Sequence, residues 1–173
     1  MIEFGVFYQV YKNVKAVRFV LDNFRKNFPD NPIVLISDGG DDFTNISTEY
    51  NCEFYMRENI FGDDINQYPK FPYNAYRTIE WWKRQKLTCE VTKQNYIMIM
   101  EDDVLVQKPF SLNDDFDLRG VRIGNRFTGR MSQDVKDLTG DDASLYGMCG
   151  GSIYNSKTFL SIYDDVIQDI EKN

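Results

Sequence analysis

Residues 96–106 read YIMIMEDDVLV, and this stretch decides which fold and which site the sequence can support. Five apolar, strand-forming residues run directly into three carboxylates, Glu101, Asp102 and Asp103. Adjacent like charges repel, and burial of an ionised carboxylate in a core costs free energy unless a positively charged group pairs with it. On these residues alone, a site for a hard divalent cation and a solvated acidic turn at the end of a core strand fit equally well.

The segments before this stretch alternate between strand and helix patterns. Residues 3–10 and 32–37 are short apolar runs typical of buried strands. Between them, residues 13–28 repeat apolar side chains at helical spacing and end at Pro29. A third strand is predicted over residues 52–56. A second helix is predicted over residues 73–86, with Ala75, Ile79 and Trp82 facing inward.

This order predicts an α/β domain with a mainly parallel central sheet flanked by helices. The near-continuous apolar character of YIMIM predicts a strand that is covered on both faces. Ligands of such sheets bind beyond the carboxyl ends of the strands, where Glu101, Asp102 and Asp103 fall. Alternation along a strand would send Glu101 and Asp103 to one face and Asp102 to the other, unless the chain turns there.

Composition narrows the functional classes. The 173 residues predict one domain, residues 1–173, with a substantial core. The net charge of −7 argues against nucleic acid or an anionic membrane as the main partner. The sequence has no histidine, which excludes Ser-His triads and His-ligated metals, so that carboxylates, a metal, hydroxyls, Lys and Arg must do any chemistry.

Cysteine spacing and the N-terminal segment indicate the compartment. Cys52, Cys89 and Cys149 are odd in number and widely separated, which predicts reduced, buried thiols and not a zinc site or a disulfide framework. No apolar run approaches the length of a transmembrane segment, and no targeting pattern is evident at the N-terminus. We therefore expect a cytoplasmic protein, or one on the cytoplasmic side of a membrane.

An apolar strand that runs into acid-x-acid, after units whose second strand ends in SDGG, resembles the glycosyltransferases of the GT-A fold. In that family a DxD motif binds Mn²⁺ or Mg²⁺, which holds the diphosphate of a nucleotide sugar. The string MEDDV is most similar to the EDDV form of bacterial lipopolysaccharide glycosyltransferases. The resemblance implies a GT-A (Rossmann-like) fold, metal ligands at Glu101 and Asp103, and a donor contact at Asp102.

The resemblance also implies which residues bind the nucleotide. Asp38 in LISDGG matches the Asp that contacts the nucleobase or ribose, and Tyr8 and Gln9 at the end of the first strand would line the base pocket. The helix before the DxD strand often sends polar side chains to the donor in this family. Arg77 suits that role through its forked donors, with Asn74 and Lys70 nearby. An exposed helical Arg is the plain alternative for Arg77.

Further residues are candidates for the acceptor side. The stretch YGMCGGSIYNSKTF (146–159) is similar to the family's acceptor-side segment, which a strand and a helix follow. Gly150 and Gly151 would supply a positive φ or a close approach there, or simply a turn. An inverting enzyme needs a carboxylate base, for which Asp141 and Asp142 are the first candidates and the pair 164–165 the second. A retaining mechanism would need no base.

The predicted function is metal-dependent transfer of a sugar from a nucleoside-diphosphate sugar to a glycan or other hydroxyl acceptor. A UDP-sugar is favoured by family frequency alone. The alternative is a non-catalytic nucleotide-sugar or glycan-binding domain, or a subunit of a larger transferase. The chain lacks the C-terminal histidine that many members use as a metal ligand. It is also shorter than most catalytic domains, which leaves open a minimal enzyme or the N-terminal domain of a longer protein.

Two other enzyme classes fit less well. A nucleotidyltransferase of similar fold would favour a Gly-rich phosphate loop with a basic residue near the N-terminus, and the sequence has none. Magnesium-dependent phosphatases use a DxDx[TV] pattern on their nucleophile strand, which the run from Glu101 to Val104 does not match. Stacking of a sugar on Trp81 or Trp82 is possible by residue type, although at least one of the two is expected in the core.

Overall fold

The structure, a computed structural model, describes residues 4–59, 75–113, 115–123, 145–147 and 150–172. Its helices and strands in chain order are β1 (Phe4–Val10), α1 (Val14–Asn27), β2 (Ile33–Asp38), α2 (Thr44–Glu49), β3 (Glu53–Arg57), α3 (Ala75–Thr92), β4 (Tyr96–Met100), β5 (Leu118–Arg119), β6 (Val121–Ile123), β7 (Leu145–Gly147), β8 (Ile153–Asn155) and α4 (Ser156–Lys172). The predicted strands and the first helix agree with these bounds to within one or two residues.

Six strands form the central sheet in the order β3-β2-β1-β4-β8-β5. The four strands from β3 to β4 pair in parallel, whereas β8 is antiparallel to both β4 and β5. The prediction of a mainly parallel sheet is therefore confirmed. Short β6 and β7 pair with each other in a separate antiparallel ribbon. No helix in the described segments is both long and apolar enough to cross a membrane.

Apolar clusters cover both faces of this sheet, as the composition of β4 predicts. Side chains of β1 alternate between the two clusters: Val6 and Tyr8 pack into the cluster under α1, whereas Phe7 packs into the cluster under α3 and α4. In β4, Met98 joins the first cluster and Ile99 the second. Because both faces of the sheet are covered, the polar side chains of β1 and β2 lie at the carboxyl ends of these strands.

Helix α3 differs from its prediction in length and in its buried face. It continues to Thr92, and its buried residues are polar or small; they are Arg84, Gln85, Thr88, Cys89 and Thr92. The predicted inward residues Ala75, Ile79 and Trp82 are only half-buried. Thr88 and Thr92 can be buried because each hydroxyl donates to the backbone carbonyl four residues earlier, at 3.0 and 2.8 Å.

A side-chain clamp fixes the segment that follows β4. The Val106 N–H donates to Asn23 Oδ1 at 2.7 Å, and Asn23 Nδ2 donates back to the Val106 carbonyl at 3.1 Å. Asn27 Nδ2 also donates to that carbonyl, at 3.1 Å. Helix α1 thus holds the chain three residues beyond Asp103.

We expect Asn23→Ala to lower the free energy of unfolding by about 1–3 kcal/mol, because it leaves the N–H of Val106, a buried residue, without its acceptor. Asn27→Ala is the matched control: it removes a donor to the Asn23 carbonyl and a second donor to the Val106 carbonyl, which Asn23 still satisfies, but it leaves the Val106 N–H paired and should cost less. Urea denaturation of both variants measures the difference. Equal losses of unfolding free energy in the two variants would contradict the proposed role of Asn23.

The two cysteines in the described segments are free thiols, as predicted. Burial raises the pKa of the Cys52 thiol to about 11, although the neighbouring Arg25 opposes this shift. Burial also raises the pKa of Cys89. Both thiols therefore stay protonated at neutral pH.

We expect iodoacetamide to alkylate Cys52 at pH 8 roughly 100-fold more slowly in the folded protein than in urea, because only the thiolate reacts. The rate should rise as the pH approaches 11. Peptide mass spectrometry gives the rate for this cysteine separately. Equal rates in the folded and unfolded states would contradict the raised pKa.

Candidate functional site

A cleft of about 260 Å³ lies at the carboxyl ends of the parallel strands. Its lining comes from the ends of β1, β2 and β4 and from the residue two positions after β3; the residues are Gln9, Val10, Tyr11, Asp38, Asn59, Glu101 and Asp102. Four of the residues predicted to bind donor or metal thus line one cleft: Gln9, Asp38, Glu101 and Asp102. This edge is where ligands of α/β sheets bind.

The three carboxylates after β4 form an acidic turn (Glu101, Asp102 and Asp103). The Val104 N–H donates to the Glu101 carbonyl at 3.1 Å, so that the chain turns here and strand alternation no longer applies. Glu101 and Asp102 line the cleft, whereas Asp103 does not; Glu101 and Asp103 are both exposed, and Asp102 is half-buried. The turn therefore directs neighbouring carboxylates, and not alternate ones, towards the cleft.

Tyr8 holds Asp102 through a hydrogen bond from the core of the sheet. Its side chain is fully buried, and its hydroxyl donates to Asp102 Oδ1 at 3.0 Å. Burial, and then the charge of Asp102, raises the pKa of Tyr8, so that the hydroxyl remains a donor. Burial also raises the pKa of Asp102, and Asp103 adds to this rise, while the hydrogen bond from Tyr8 opposes it. Tyr8 thus acts on the acidic turn and does not line the cleft directly.

Gly150 lies against the acidic turn, and Gly151 follows it beside β4. A Cβ atom at Gly150 would stand 2.4 Å from Val104 Cγ2 and 2.8 Å from Glu101 Oε2, so any side chain here would force Val104 and Glu101 to shift. Gly151 has a φ of +88°, and its N–H donates to the carbonyl of Ile99 in β4 at 2.8 Å. The structure thus shows a close approach and a positive φ at this pair.

The Gly150 backbone also affects the pKa of Glu101. Burial raises the pKa of Glu101, and the carboxylates of Asp103 and Asp102 add to this rise. A hydrogen bond from the Gly150 N–H acts in the opposite direction. The acidic turn therefore carries like charges that repel one another in a partly desolvated position, which a cation would relieve.

Arg84 is the site residue that the sequence analysis missed. It is only 2% exposed, and its Nη1 lies 2.6 Å from Asp38 Oδ1 and 3.1 Å from Gln9 Oε1. Its Nη2 donates to the Glu58 carbonyl at 2.5 Å. One guanidinium group thereby joins the end of β1, the end of β2 and the segment after β3.

The sequence around Arg84 offers only a weak signal for this role. Arg84 lies in WWKRQK, where basic residues are typical of a solvated helical face. Its partner Asp38 is 46 residues away, and it is only 4% exposed. A buried Asp at a strand end does require a positive partner, but nothing in the local pattern selects Arg84 over Arg77 or Lys83.

The remaining predicted residues lie elsewhere. Arg77 is half-buried in the first turn of α3 and does not line this cleft. Trp82 stacks on Phe159 with ring centroids 4.9 Å apart, and Trp81 packs edge-on against Phe7, which favours the core interpretation for both. The pair 164–165 is exposed on α4. The candidate bases Asp141 and Asp142, with Lys70 and Asn74, lie outside the described residues.

The acidic turn fits a hard divalent cation in part. Its carboxylate oxygens are the ligands that Mg²⁺ and Mn²⁺ prefer, and the raised pKa values of Glu101 and Asp102 reflect burial and the neighbouring carboxylates. Among the described residues, however, no three Asp, Glu or Cys side chains converge as a complete ligand set. Water and phosphate oxygens would have to complete the coordination.

Comparisons with solved structures identify the fold. The chain is similar to the galactosyltransferase LgtC in complex with donor and acceptor sugar analogs, with a TM-score of 0.54 at 16% identity over 96% of this chain and 66% of LgtC. It is also similar to glucosyl-3-phosphoglycerate synthase from Mycobacterium tuberculosis in complex with Mn²⁺, UDP and phosphoglyceric acid. That match has a TM-score of 0.52 at 12% identity over 95% of this chain and 65% of the synthase.

A third similar structure is S. aureus TarS 1–349 in complex with UDP, with a TM-score of 0.50 at 12% identity over 95% of this chain and 49% of that one. The chain therefore has the GT-A fold, and it spans between about half and two thirds of the length of these three neighbours. No protein-family model matches the sequence, and no curated protein matches it.

Proposed function

We propose that this chain is the donor-binding part of a metal-dependent glycosyltransferase, which moves a sugar from a nucleoside-diphosphate sugar, a UDP-sugar being favoured, to a glycan or other hydroxyl acceptor. The observation that carries this proposal is the cleft itself. It combines a polar end, made by Gln9 and Asp38, with an acidic end, made by Glu101 and Asp102. The GT-A neighbours add support, since two of them are complexes with UDP, one of these also with Mn²⁺, and the third is a complex with sugar analogs.

Sheet order supports a proposed arrangement of the donor along the cleft. Strand β1 lies between β2 and β4, so that Asp38 on β2 and the acidic turn after β4 stand on opposite sides of Gln9. The nucleoside would bind on the β2 side and the diphosphate on the β4 side. A divalent cation bound by Glu101, which lines the cleft, and by Asp103, which would have to reach it from the exposed side of the acidic turn, would offset the charge of the departing diphosphate.

The chain's own residues would hold the donor in place. The Tyr8 hydroxyl fixes Asp102, and the Gly150 backbone approaches Glu101, so that both carboxylates are oriented before the donor binds. Orientation of this kind lowers the entropic cost of reaching the reactive geometry. Asp141 and Asp142 remain our candidates for the base that takes the acceptor's proton in an inverting reaction.

A screen of UDP-sugars tests this function. The protein is incubated with UDP-glucose, UDP-galactose and UDP-N-acetylglucosamine in Mn²⁺, and UDP release to water or to an added glycan is measured against an EDTA control. We expect release from one donor, and only with metal. Metal-independent binding of donors without any turnover would favour the alternative, a non-catalytic nucleotide-sugar-binding domain.

A further inference from the structure

The chemistry of arginine determines how Gln9 is oriented. A guanidinium group has donors only and cannot accept a hydrogen bond. The group that Gln9 turns towards Arg84 Nη1, at 3.1 Å, must therefore be its carbonyl oxygen Oε1. The amino group of the Gln9 side chain, Nε2, is the polar end of the amide that Arg84 does not engage.

Arg84 is itself held firmly in this position. Its contacts with Asp38 Oδ1 and with the Glu58 carbonyl come from two further elements, and its side chain is only about 1% exposed. Because the guanidinium group is buried, water does not compete with it for these partners. Gln9, by contrast, is half-buried and lines the cleft, where a ligand can reach it.

We propose that Arg84 is a positioning residue that fixes the hydrogen-bond polarity of the cleft, so that Gln9 donates through Nε2 to an oxygen acceptor of the donor's nucleoside. The inference rests on the proposed function, which it deepens. The acceptor can be a carbonyl oxygen of the base or a hydroxyl oxygen of the ribose. Both have the same chemistry, and the choice of ligands in the experiment separates them.

Two substitutions at position 9 isolate this donor. Gln9→Glu keeps an acceptor for Arg84, and indeed strengthens that contact, but replaces the donor that faces the ligand by an acceptor. Gln9→Met removes both groups while keeping the length of the side chain and adds no charge. We expect the melting temperature of Gln9→Glu to equal or exceed that of the wild type and to lie above that of Gln9→Met.

The test is a calorimetric titration of the wild type and both variants with UDP, ribose 5-diphosphate and inorganic pyrophosphate in Mg²⁺. We expect Gln9→Met to weaken UDP binding about tenfold and Gln9→Glu to weaken it further, since one hydrogen bond accounts for a factor of this size. Pyrophosphate binding should change less than about twofold in Gln9→Met, because the proposed contact is to the nucleoside alone. A general loss of structure would weaken both ligands together.

Ribose 5-diphosphate distinguishes the two acceptors. If Gln9→Met weakens UDP but not ribose 5-diphosphate, the acceptor is a base carbonyl, and if it weakens both, the acceptor is a ribose hydroxyl. Either result supports the proposal. UDP binding by Gln9→Met at wild-type strength, or a melting temperature of Gln9→Glu below that of Gln9→Met, would overturn the proposal but not the proposed function. Failure of the wild type to bind UDP would overturn both.

Discussion

Asp103→Asn is expected to weaken UDP binding in Mn²⁺ by roughly 100-fold, the order of loss associated with a damaged metal site. The substitution keeps the shape of the side chain but removes the charge that a divalent cation requires. Because Asp103 is exposed at the end of β4, the free energy of unfolding should change by less than about 0.5 kcal/mol. Calorimetry measures the affinity, and urea denaturation measures the stability.

A charge control accompanies this variant. Glu171→Gln removes one negative charge from the exposed end of α4, far along the chain from the acidic turn, and should leave UDP binding unchanged. In EDTA, Asp103→Asn and the wild type should bind UDP equally weakly, because neither then holds a metal. Wild-type affinity of Asp103→Asn in Mn²⁺ would show that Asp103 is not a ligand, and Glu101→Gln and Asp102→Asn would then identify the carboxylates that are.

Arg84→Met is expected to lower the free energy of unfolding by about 3–5 kcal/mol, the range found when one partner of a buried ion pair is removed. The substitution removes the Arg84 guanidinium group from Asp38, which is only 4% exposed. It also removes the donors to Gln9 and to the Glu58 carbonyl. Urea denaturation monitored by tryptophan fluorescence measures the loss.

Two further variants show whether the ion pair is responsible. Lys83→Met removes the neighbouring basic residue, whose pair with Glu80 at 2.7 Å is on the surface, and should cost less than about 1 kcal/mol. The double variant Arg84→Met with Asp38→Asn removes both buried charges and should regain much of the stability lost in Arg84→Met. A double variant no more stable than Arg84→Met would contradict this explanation.

The sequence was sufficient to predict the sheet because its strands are continuous apolar runs. In β1, β2 and β4 almost every residue is buried on one face or the other, so hydrophobicity alone marks them. The carboxyl end of each run then locates Gln9, Asp38 and the acidic turn at one edge of the sheet. These predictions depend on local pattern and on a general rule of α/β sheets.

Features that depend on distant contacts could not be predicted in this way. Helix α3 buries a polar face. Its threonine hydroxyls donate to carbonyls of the same helix, and its Arg84 pairs with Asp38. A search for hydrophobic periodicity cannot find such a face. The turn from Glu101 to Val104 replaces strand alternation because a single backbone hydrogen bond closes it. The antiparallel strand β8 is only three residues long, too short to carry a pattern of its own, and the strand was implied only by the resemblance of residues 146–159 to an acceptor-side segment.

The most direct test of the donor site is a calorimetric titration of UDP and GDP into the wild-type protein, once with Mn²⁺ and once with EDTA. We predict that one nucleotide, UDP being favoured, binds in Mn²⁺ and that binding is lost in EDTA. That result would place a metal-held diphosphate in the cleft beside the acidic turn. Absence of binding to either nucleotide in Mn²⁺ would contradict the account, and Glu101, Asp102 and Asp103 would then be a solvated turn at the end of a core strand.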